Sequence, residues 1–493
     1  MIEDVKHKGL ALLILAGAQF MVVLDATIVN VALPSISKAL DFGSSAQLQW
    51  IVTAYTLLFG GFLLLGGRLA DLLGRRKIFM IGMAVFAAAS LLAGIAQDPA
   101  QIIVFRGLQG LGAALLSPSA LSLVLSIFAE GKERNKALGV WSGVAAGGGA
   151  VGMLLGGVLT QYVDWRWIFF INVPVAAVLM YLAIRNLPRS HPHVGNKSMD
   201  IPGAILVTAG LMLLVYVFVK ATEYGWGSWQ TLGGIALAVG LLVAFVVNEL
   251  RAVSPLMPLR IFKNRNVAAG NLMQLPITAG MFGVFFYLSI YLQQILGYSP
   301  VSTGLHNLPF TLFIGVTAAI ISKKIATVAP RTILIGSPLL VAAGLAYFAR
   351  VPVAGDYWTH LFPGIVLMAT GMGATFVALT LAATSGVSQK ESGLVSGLLN
   401  TSQQIGGAIG LAVLTTVSTT RTNAVMAEAG GNPAALNNAL VQGFHSAFWV
   451  AAGLAIVASL IAVVGLSNKP ASKDQLAHEA ELEAETFPVV PGV

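Results

Sequence analysis

The sequence predicts an all-α polytopic membrane protein of fourteen spans. Two six-helix bundles flank a central pair of helices, with both termini in the cytoplasm. Three observations predict it. The 493 residues are 56% hydrophobic and only 10% charged, where a soluble chain carries about 25% charged residues. Fourteen apolar runs follow one another, each close to the ~20 residues that cross a bilayer as a helix. The two ends of the chain also echo each other in order and spacing.

The runs lie near residues 10–33, 47–67, 78–97, 101–125, 137–160, 168–187, 202–220, 231–250, 268–292, 302–322, 332–350, 361–382, 396–417 and 446–466. The first contains Asp25 and lacks a small-residue cleavage site, so it reads as a retained helix rather than a signal peptide. Orientation follows from the basic residues of the short loops. Of 28 Lys and Arg, 22 fall on one side, from Lys6 and Lys8 at the start to Lys469 and Lys473 at the end. Five fall on the other side, namely Lys38, Arg166, Lys220, Arg350 and Arg421, and Arg106 lies within a span. The net charge of +8 is therefore topological, and nucleic acid drops out as a partner. The expected divisions are an N-terminal six-helix bundle at 1–187, two additional central helices with linkers at 188–265, and a C-terminal six-helix bundle at 266–466. A polar tail at 467–493, with its EAELEAE run, reads as cytoplasmic and mobile. The stretch 418–445 reads as the longest external connection, and GGNP at 430–433 marks a turn in it.

The internal echo supports two related halves. Gly-Leu-Gly-Ala at 110–113 returns as Gly-Met-Gly-Ala at 371–374. Leu-Ala-Asp at 69–71 with Arg75 returns, degenerate, as Ile-Ala-Thr at 325–327 with Arg331. Transporters are built from such repeats, with the substrate site near the midplane between them. Charge does not repeat, since Leu367 aligns with Arg106, so proton chemistry is expected in the first six helices. The chain has no cysteine, which removes thiol chemistry and cysteine-ligated metals. It has no GxxxxGK[ST] stretch for an ATP-driven motor. No clustered catalytic groups face one depth of the membrane, so the expectation is a protein that is not an enzyme, holds no metal and needs no cofactor.

Two charges stand inside spans. Asp25 sits in Leu-Asp-Ala-Thr-Ile-Val-Asn-Val-Ala-Leu-Pro at 24–34. An ionised carboxylate there costs at least ~2.5 kcal/mol, and intramembrane acids usually mark ion paths. Burial disfavours the charged form, so Asp25 can hold a proton near neutral pH and release it when water or a cation arrives. The alternative is a carboxylate held by hydroxyls or amides that fixes a helix contact. Arg106, in Arg-Gly-Leu-Gln-Gly-Leu-Gly-Ala-Ala at 106–114, stays charged and must meet an acid, carbonyls or water. Its alternative is a structural or snorkelling cation. The loop at 67–77 carries Gly67, Asp71, Gly74, Arg75 and Arg76, a more regular spacing than positive-inside anchoring needs. Span 5 carries Gly147, Gly152, Gly156 and Gly157, and glycines at 148, 152 and 156 make a smooth face for close helix approach.

These segments together resemble the major facilitator superfamily, in its fourteen-helix branch of drug:proton antiporters, over residues 9 to 466. The 67–77 loop is similar to the superfamily's signature loop. The 106–114 segment resembles the span-4 motif whose Arg is tied to proton transfer. The 24–34 segment and Trp-Arg-Trp-Ile-Phe-Phe-Ile-Asn-Val-Pro at 165–174 resemble motifs of the fourteen-helix branch. One departure is Gly152-Met153, where the antiporters' span-5 motif has Gly-Pro; that motif is associated with export direction and with sealing against proton leak. The resemblance implies the major facilitator fold, with Asp25 and Arg106 as the proton-coupling pair. It also implies a monomer in the cell inner (plasma) membrane, exchanging protons for small amphipathic molecules. On such a fold Asn30, Tyr55, Gln109, Gln274, Tyr287, Tyr291, His306, Asn307 and Gln403 are candidates to line the cavity. The expected function is proton-driven export of amphipathic toxic compounds by alternating access. A dedicated exporter of one endogenous metabolite or self-made antibiotic is the alternative, and a non-transport membrane protein a remote one.

Overall fold

The computed structural model describes residues 7–128, 132–188, 200–252, 255–257, 259–324, 328–384, 387 and 389–467. The tail at 467–493 thus lies outside the described residues but for its first residue, as does the degenerate repeat at 325–327. Long helices carry the described chain: α1 Lys8–Ala39, α2 Trp50–Leu73, α3 Arg75–Gly94, α4 Pro99–Ile127, α5 Lys132–Tyr162, α6 Asn172–Asn186, α7 Ile201–Tyr224, α8 Trp229–Arg251, α9 Arg265–Ile290, α10 Pro300–Lys324, α11 Pro330–Phe348, α12 Phe362–Thr384, α13 Gln389–Glu428 and α14 Leu436–Gly465. A short helix, Trp167–Phe170, leads into α6. Twelve described stretches are long and apolar enough to cross a membrane. α5 and α13 are not among those twelve; in α13 hydroxyls and amides dilute the hydropathy.

Local chemistry sets the helix starts. Asp98 caps α4 by accepting the Gln101 backbone N–H at 2.9 Å, with Pro99 in the first turn. Asp200 caps α7 at Gly203 N, and Ser228 caps α8 at Thr231 N. Each satisfies one of the orphan donors of a helix start. The stretch 418–445 is mostly helix, since α13 runs to Glu428 and α14 begins at Leu436; only the turn is irregular, with Gly430 and Gly431 at φ of 62° and 74°. A backbone there is helical because unpaired carbonyls near a membrane are costly.

The two halves pack by one pattern. In the first, α4 packs on α2 and α3, and α1 on α5; in the second, α12 packs on α10 and α11, and α9 on α13. The halves meet where α5 packs on α10 and α13 on α2. α7 lies over the α2–α13 seam, with Leu211 and Val215 against Leu57, Ala408 and Ala412. α8 packs on α7 and turns Leu237, Val243 and Leu250 outward, as a lipid-facing helix does.

One apolar core joins both halves at the ends where α1 and α9 finish, with Ile36, Leu40 and Ile51 continuous with Leu288, Leu292 and Phe348. Polar contacts seal the same end. Ser289 Oγ donates to the Asn30 carbonyl at 2.6 Å, and Gln293 Nε2 to the Val31 carbonyl at 2.8 Å. Among the described residues the opposite end holds separate cores, one around Phe79, Leu123 and Phe128, the other around Met273, Leu334 and Leu379, while Leu64 of α2 packs against the second half along the α13 seam. The molecule is closed at one end and parted at the other.

Candidate functional site

Asp25 and Arg106 meet. Arg106 Nη1 donates to Asp25 Oδ2 at 2.6 Å, with Asp25 fully buried and Arg106 almost so. The packing that allows this is glycine chemistry: Gly110 sits against the Tyr55 backbone, so α4 presses onto α2. That places the guanidinium 4.2 Å from the centre of the Tyr55 ring, where its charge meets the π face. Nε donates to the Ile51 carbonyl at 3.1 Å, and Nη1 also reaches Gln109 Oε1 at 2.8 Å. Gln109, three residues on, shares the helix face. Its Nε2 donates to Asp25 Oδ1 at 2.7 Å.

A second donor comes from α6. Asn172 Nδ2 donates to Asp25 Oδ1 at 2.9 Å and to Ser90 Oγ at 3.0 Å, while Ser90 Oγ donates to the Phe169 carbonyl. Asp25 is thus held by one cation and two amides, which is what a charge in a low-dielectric interior requires. Sequence reading named neither Asn172 nor Ser90 as a site residue. The available signal was that Asn172 falls in the 165–174 segment.

Beside this network a cavity of about 500 Å³ lies between the halves, large enough for a drug-sized molecule. Asn30, Tyr55, Arg106, Gln274 and Gln403 line it, as do Gln19, Phe59, Phe282 and Phe376, which sequence reading missed. Amides and phenylalanines are too common in apolar helices to single out without knowing the lining face. Asp25 does not line it, and Arg106 stands between.

The other candidates for its wall sit elsewhere. Gln109 belongs to the charge network. Tyr287 is buried between Phe444 and Phe448, with its hydroxyl donating to Thr415 Oγ1 at 3.2 Å. Tyr291 donates to the Pro352 carbonyl at the closed end. His306 stacks on Tyr298 and Tyr357. Asn307 bonds back to the Thr303 carbonyl at 3.0 Å. None of them lines the cavity; the Tyr287, Tyr291 and His306 polar groups are engaged in packing elsewhere, and Asn307 keeps a buried Oδ1 without a partner.

The 67–77 segment is less a loop than a sharp joint. α2 runs through Gly67 and Asp71 to Leu73, and α3 starts at Arg75, so the whole reversal falls on Gly74. Its φ of 98° is open to glycine and strained for other residues. Arg75 Nη1 donates to the Ser122 carbonyl at 3.3 Å and Arg76 to the Ile184 carbonyl, tying the joint to α4 and α6. Of the span-5 glycines, Gly152 and Gly156 seat α5 on α1, at Thr27 and at the Ile28 carbonyl. Gly157 seats it on α10, where a Cβ would lie 2.6 Å from the Pro300 carbonyl oxygen. Gly147 faces open space and packs on nothing. Asp25 is also not alone among buried acids. Glu249, near the end of α8, is 4% exposed and accepts the Met257 N–H at 2.9 Å.

The chain is 42% identical to a puromycin resistance protein of Streptomyces alboniger, over 94% of this chain and 92% of that protein. It is 41% identical to a cephamycin export protein of Amycolatopsis lactamdurans, over 85% and 86%. Among solved structures it matches a bacterial homolog of the human lysosomal transporter Spinster, in an inward-facing and unoccupied conformation. The TM-score is 0.69, with 16% identity over 94% of this chain and 98% of that one. Residues 15–411 match the family model of the Major Facilitator Superfamily, and with relatives that are antibiotic and multidrug exporters the chain belongs to that superfamily.

Proposed function

We propose that this transporter exports small amphipathic compounds from the cytoplasm in exchange for protons, by alternating access. The observation that carries the reading is the buried Asp25–Arg106 pair, with Arg106 on the wall of a cavity closed at one end and Asp25 behind it. In this reading Asp25 binds the transported proton. Arg106 occupies it while paired and leaves it free to take a proton when the pair parts. Because Asp25 is covered, proton access requires Arg106 to move, which ties protonation to conformation. No resident cofactor or metal takes part, and the chain acts as a monomer without nucleic acid.

The positive-inside count supports fourteen spans with both termini cytoplasmic in the plasma membrane, and α5 and α13 complete the count as bundle members whose partners are other helices. On that orientation the parted end faces the cytoplasm and the joined end faces out. A second reading, a dedicated exporter of one self-made antibiotic, fits equally, since relatives include the cephamycin export protein and a tetracenomycin C resistance and export protein of Streptomyces glaucescens, 34% identical.

The test is growth of an exporter-deficient host, with and without the protein, against a panel of unrelated toxic compounds. Resistance to many supports multidrug export, resistance to one supports the dedicated reading, and resistance to none across the panel sinks export.

A further inference from the structure

We propose that the cavity is a carboxamide-reading site for uncharged amphiphiles and that it rejects permanent cations; this rests on the export reading and names its substrate class.

The charge argument comes first. Among the described residues that line the cavity there is no Asp or Glu, and Arg106 is its one charge. The ion pair is oriented, with Arg106 on the wall and Asp25 buried behind it. The pair therefore turns its positive end to any occupant. A nearer like charge outweighs a farther opposite one, and the difference grows in a low-dielectric site. A quaternary ammonium ion in this cavity has no carboxylate to meet and a guanidinium to avoid.

The hydrogen-bonding argument is independent of it. Gln274, on α9, is 4% exposed, lines the cavity, and its side-chain amide has no hydrogen-bond partner. Gln403, on α13, lines it too, and its amide is likewise unpartnered. The two are at one level, because Gly406, three residues past Gln403, seats against Leu275 and Thr278. Both amides open onto the cavity without a protein partner, so their hydrogen-bonding capacity is available to a ligand. Each presents a donor and an acceptor, the complement of a carboxamide or lactam. Across the cavity Arg106 offers a third point. Its Nε and Nη1 are engaged, whereas Nη2 makes no hydrogen bond. It is a free donor on the wall for a carbonyl oxygen. Phe282, Phe285 and Phe376 supply the apolar surface for the rest of the molecule.

The test uses the full chain in lipid nanodiscs and two matched fluorescent probes, dansyl-phenylalanine amide and its trimethylammonioethyl amide. The uncharged probe should bind at least about tenfold more tightly than the cation. Gln274→Leu and Gln403→Leu should each weaken the uncharged probe about tenfold, one hydrogen-bonded group's worth. Gln274→Glu, which places an acid on the wall, should raise affinity for the cation, a gain that a structural role would not give. Equal or tighter binding of the cation by the unmodified protein overturns the proposal, as does unchanged binding by both leucine variants. Proteoliposome uptake of the same probes separates the two readings. Binding in the expected order without movement driven by a pH gradient overturns proton-coupled export and leaves the site standing. Concentrative export that favours the cation overturns the site and leaves export standing.

Discussion

At the scale of single residues, the Asp25 network makes separable demands. Asp25→Asn keeps one acceptor oxygen of the two, turns the other position into a donor, and removes the titrating group, so proton-driven export should fall to background. Uptake into proteoliposomes under an imposed pH gradient checks it, with size-exclusion behaviour as the control for folding; export at the unmodified rate would remove Asp25 from proton transfer. Arg106→Lys keeps charge, yet an ammonium cannot reach the Ile51 carbonyl, Asp25 and Gln109 in one plane as the guanidinium does. Most of the export rate should be lost, and a variant that keeps it would make Arg106 a plain structural cation. Asn172→Ala deletes one donor to Asp25 and leaves Ser90 with one fewer partner. Leaving buried polar groups unpaired costs about 1–3 kcal/mol. Reduced thermal stability together with slower export is the expected result, and Asn172→Gln should not restore it, because the longer side chain displaces the amide.

At the scale of elements, α5 is the helix on which the halves bear. It packs on α1 through Gly152 and Gly156 and on α10 through Gly157, while the Gly304 position of α10 meets the Met153 carbonyl in return. A Cβ at Gly157 has backbone in its way, and backbone cannot rotate aside. Gly157→Val should therefore push α5 from α10 at an overpacking cost of about 1–3 kcal/mol and unsettle the closed end. Labelling by a membrane-impermeant maleimide at Gln161→Cys, beside the Val301 N–H that the native glutamine accepts, should be faster in the Gly157→Val background. Equal labelling rates would show that this contact does not hold the halves. Gly147→Val should be nearly neutral by contrast, since nothing lies within contact of that position.

At the scale of the whole molecule, one proton exchanged for an uncharged substrate moves net charge, so transport should respond to voltage as well as to the pH gradient. A charge crossing 100 mV gains about 2.3 kcal/mol, enough for roughly a 50-fold gradient of a neutral compound. Divalent cations should be exported poorly against an inside-negative potential. Flux with the voltage clamped by potassium and valinomycin checks both, and strong concentrative export of a divalent cation would reveal a second proton site, for which Glu249 is the buried acid to examine. The same molecule must also open where it is now joined. The chain has no native cysteine, so a Val31→Cys, Gln293→Cys pair at the closed end can be cross-linked without background. Cross-linking should stop transport, and reduction should restore it.

The sequence by itself determined what depends on composition and order. Its scarcity of charge requires a membrane, its helical runs number the long helices, and its few intramembrane charges single out Asp25 and Arg106. These were legible because a bilayer penalises charge so heavily that each exception stands out in one dimension. The tertiary structure decided which polar residues face the opening. Tyr287, His306 and Asn307 are chemically as suitable as Gln274 and Gln403, yet the first two spend their polar groups on Thr415 and Ser302, and Asn307 lies outside the cavity lining. Burial and facing are set by helix rotation and by close approaches at Gly110, Gly157 and Gly406, and in chains with 54 glycines no local pattern tells which of them will be a contact. The same reason hid Asn172 and Ser90, since Asn172 lies 147 residues from Asp25 and 82 from Ser90, and only the folded bundle brings its amide within hydrogen-bonding distance of both.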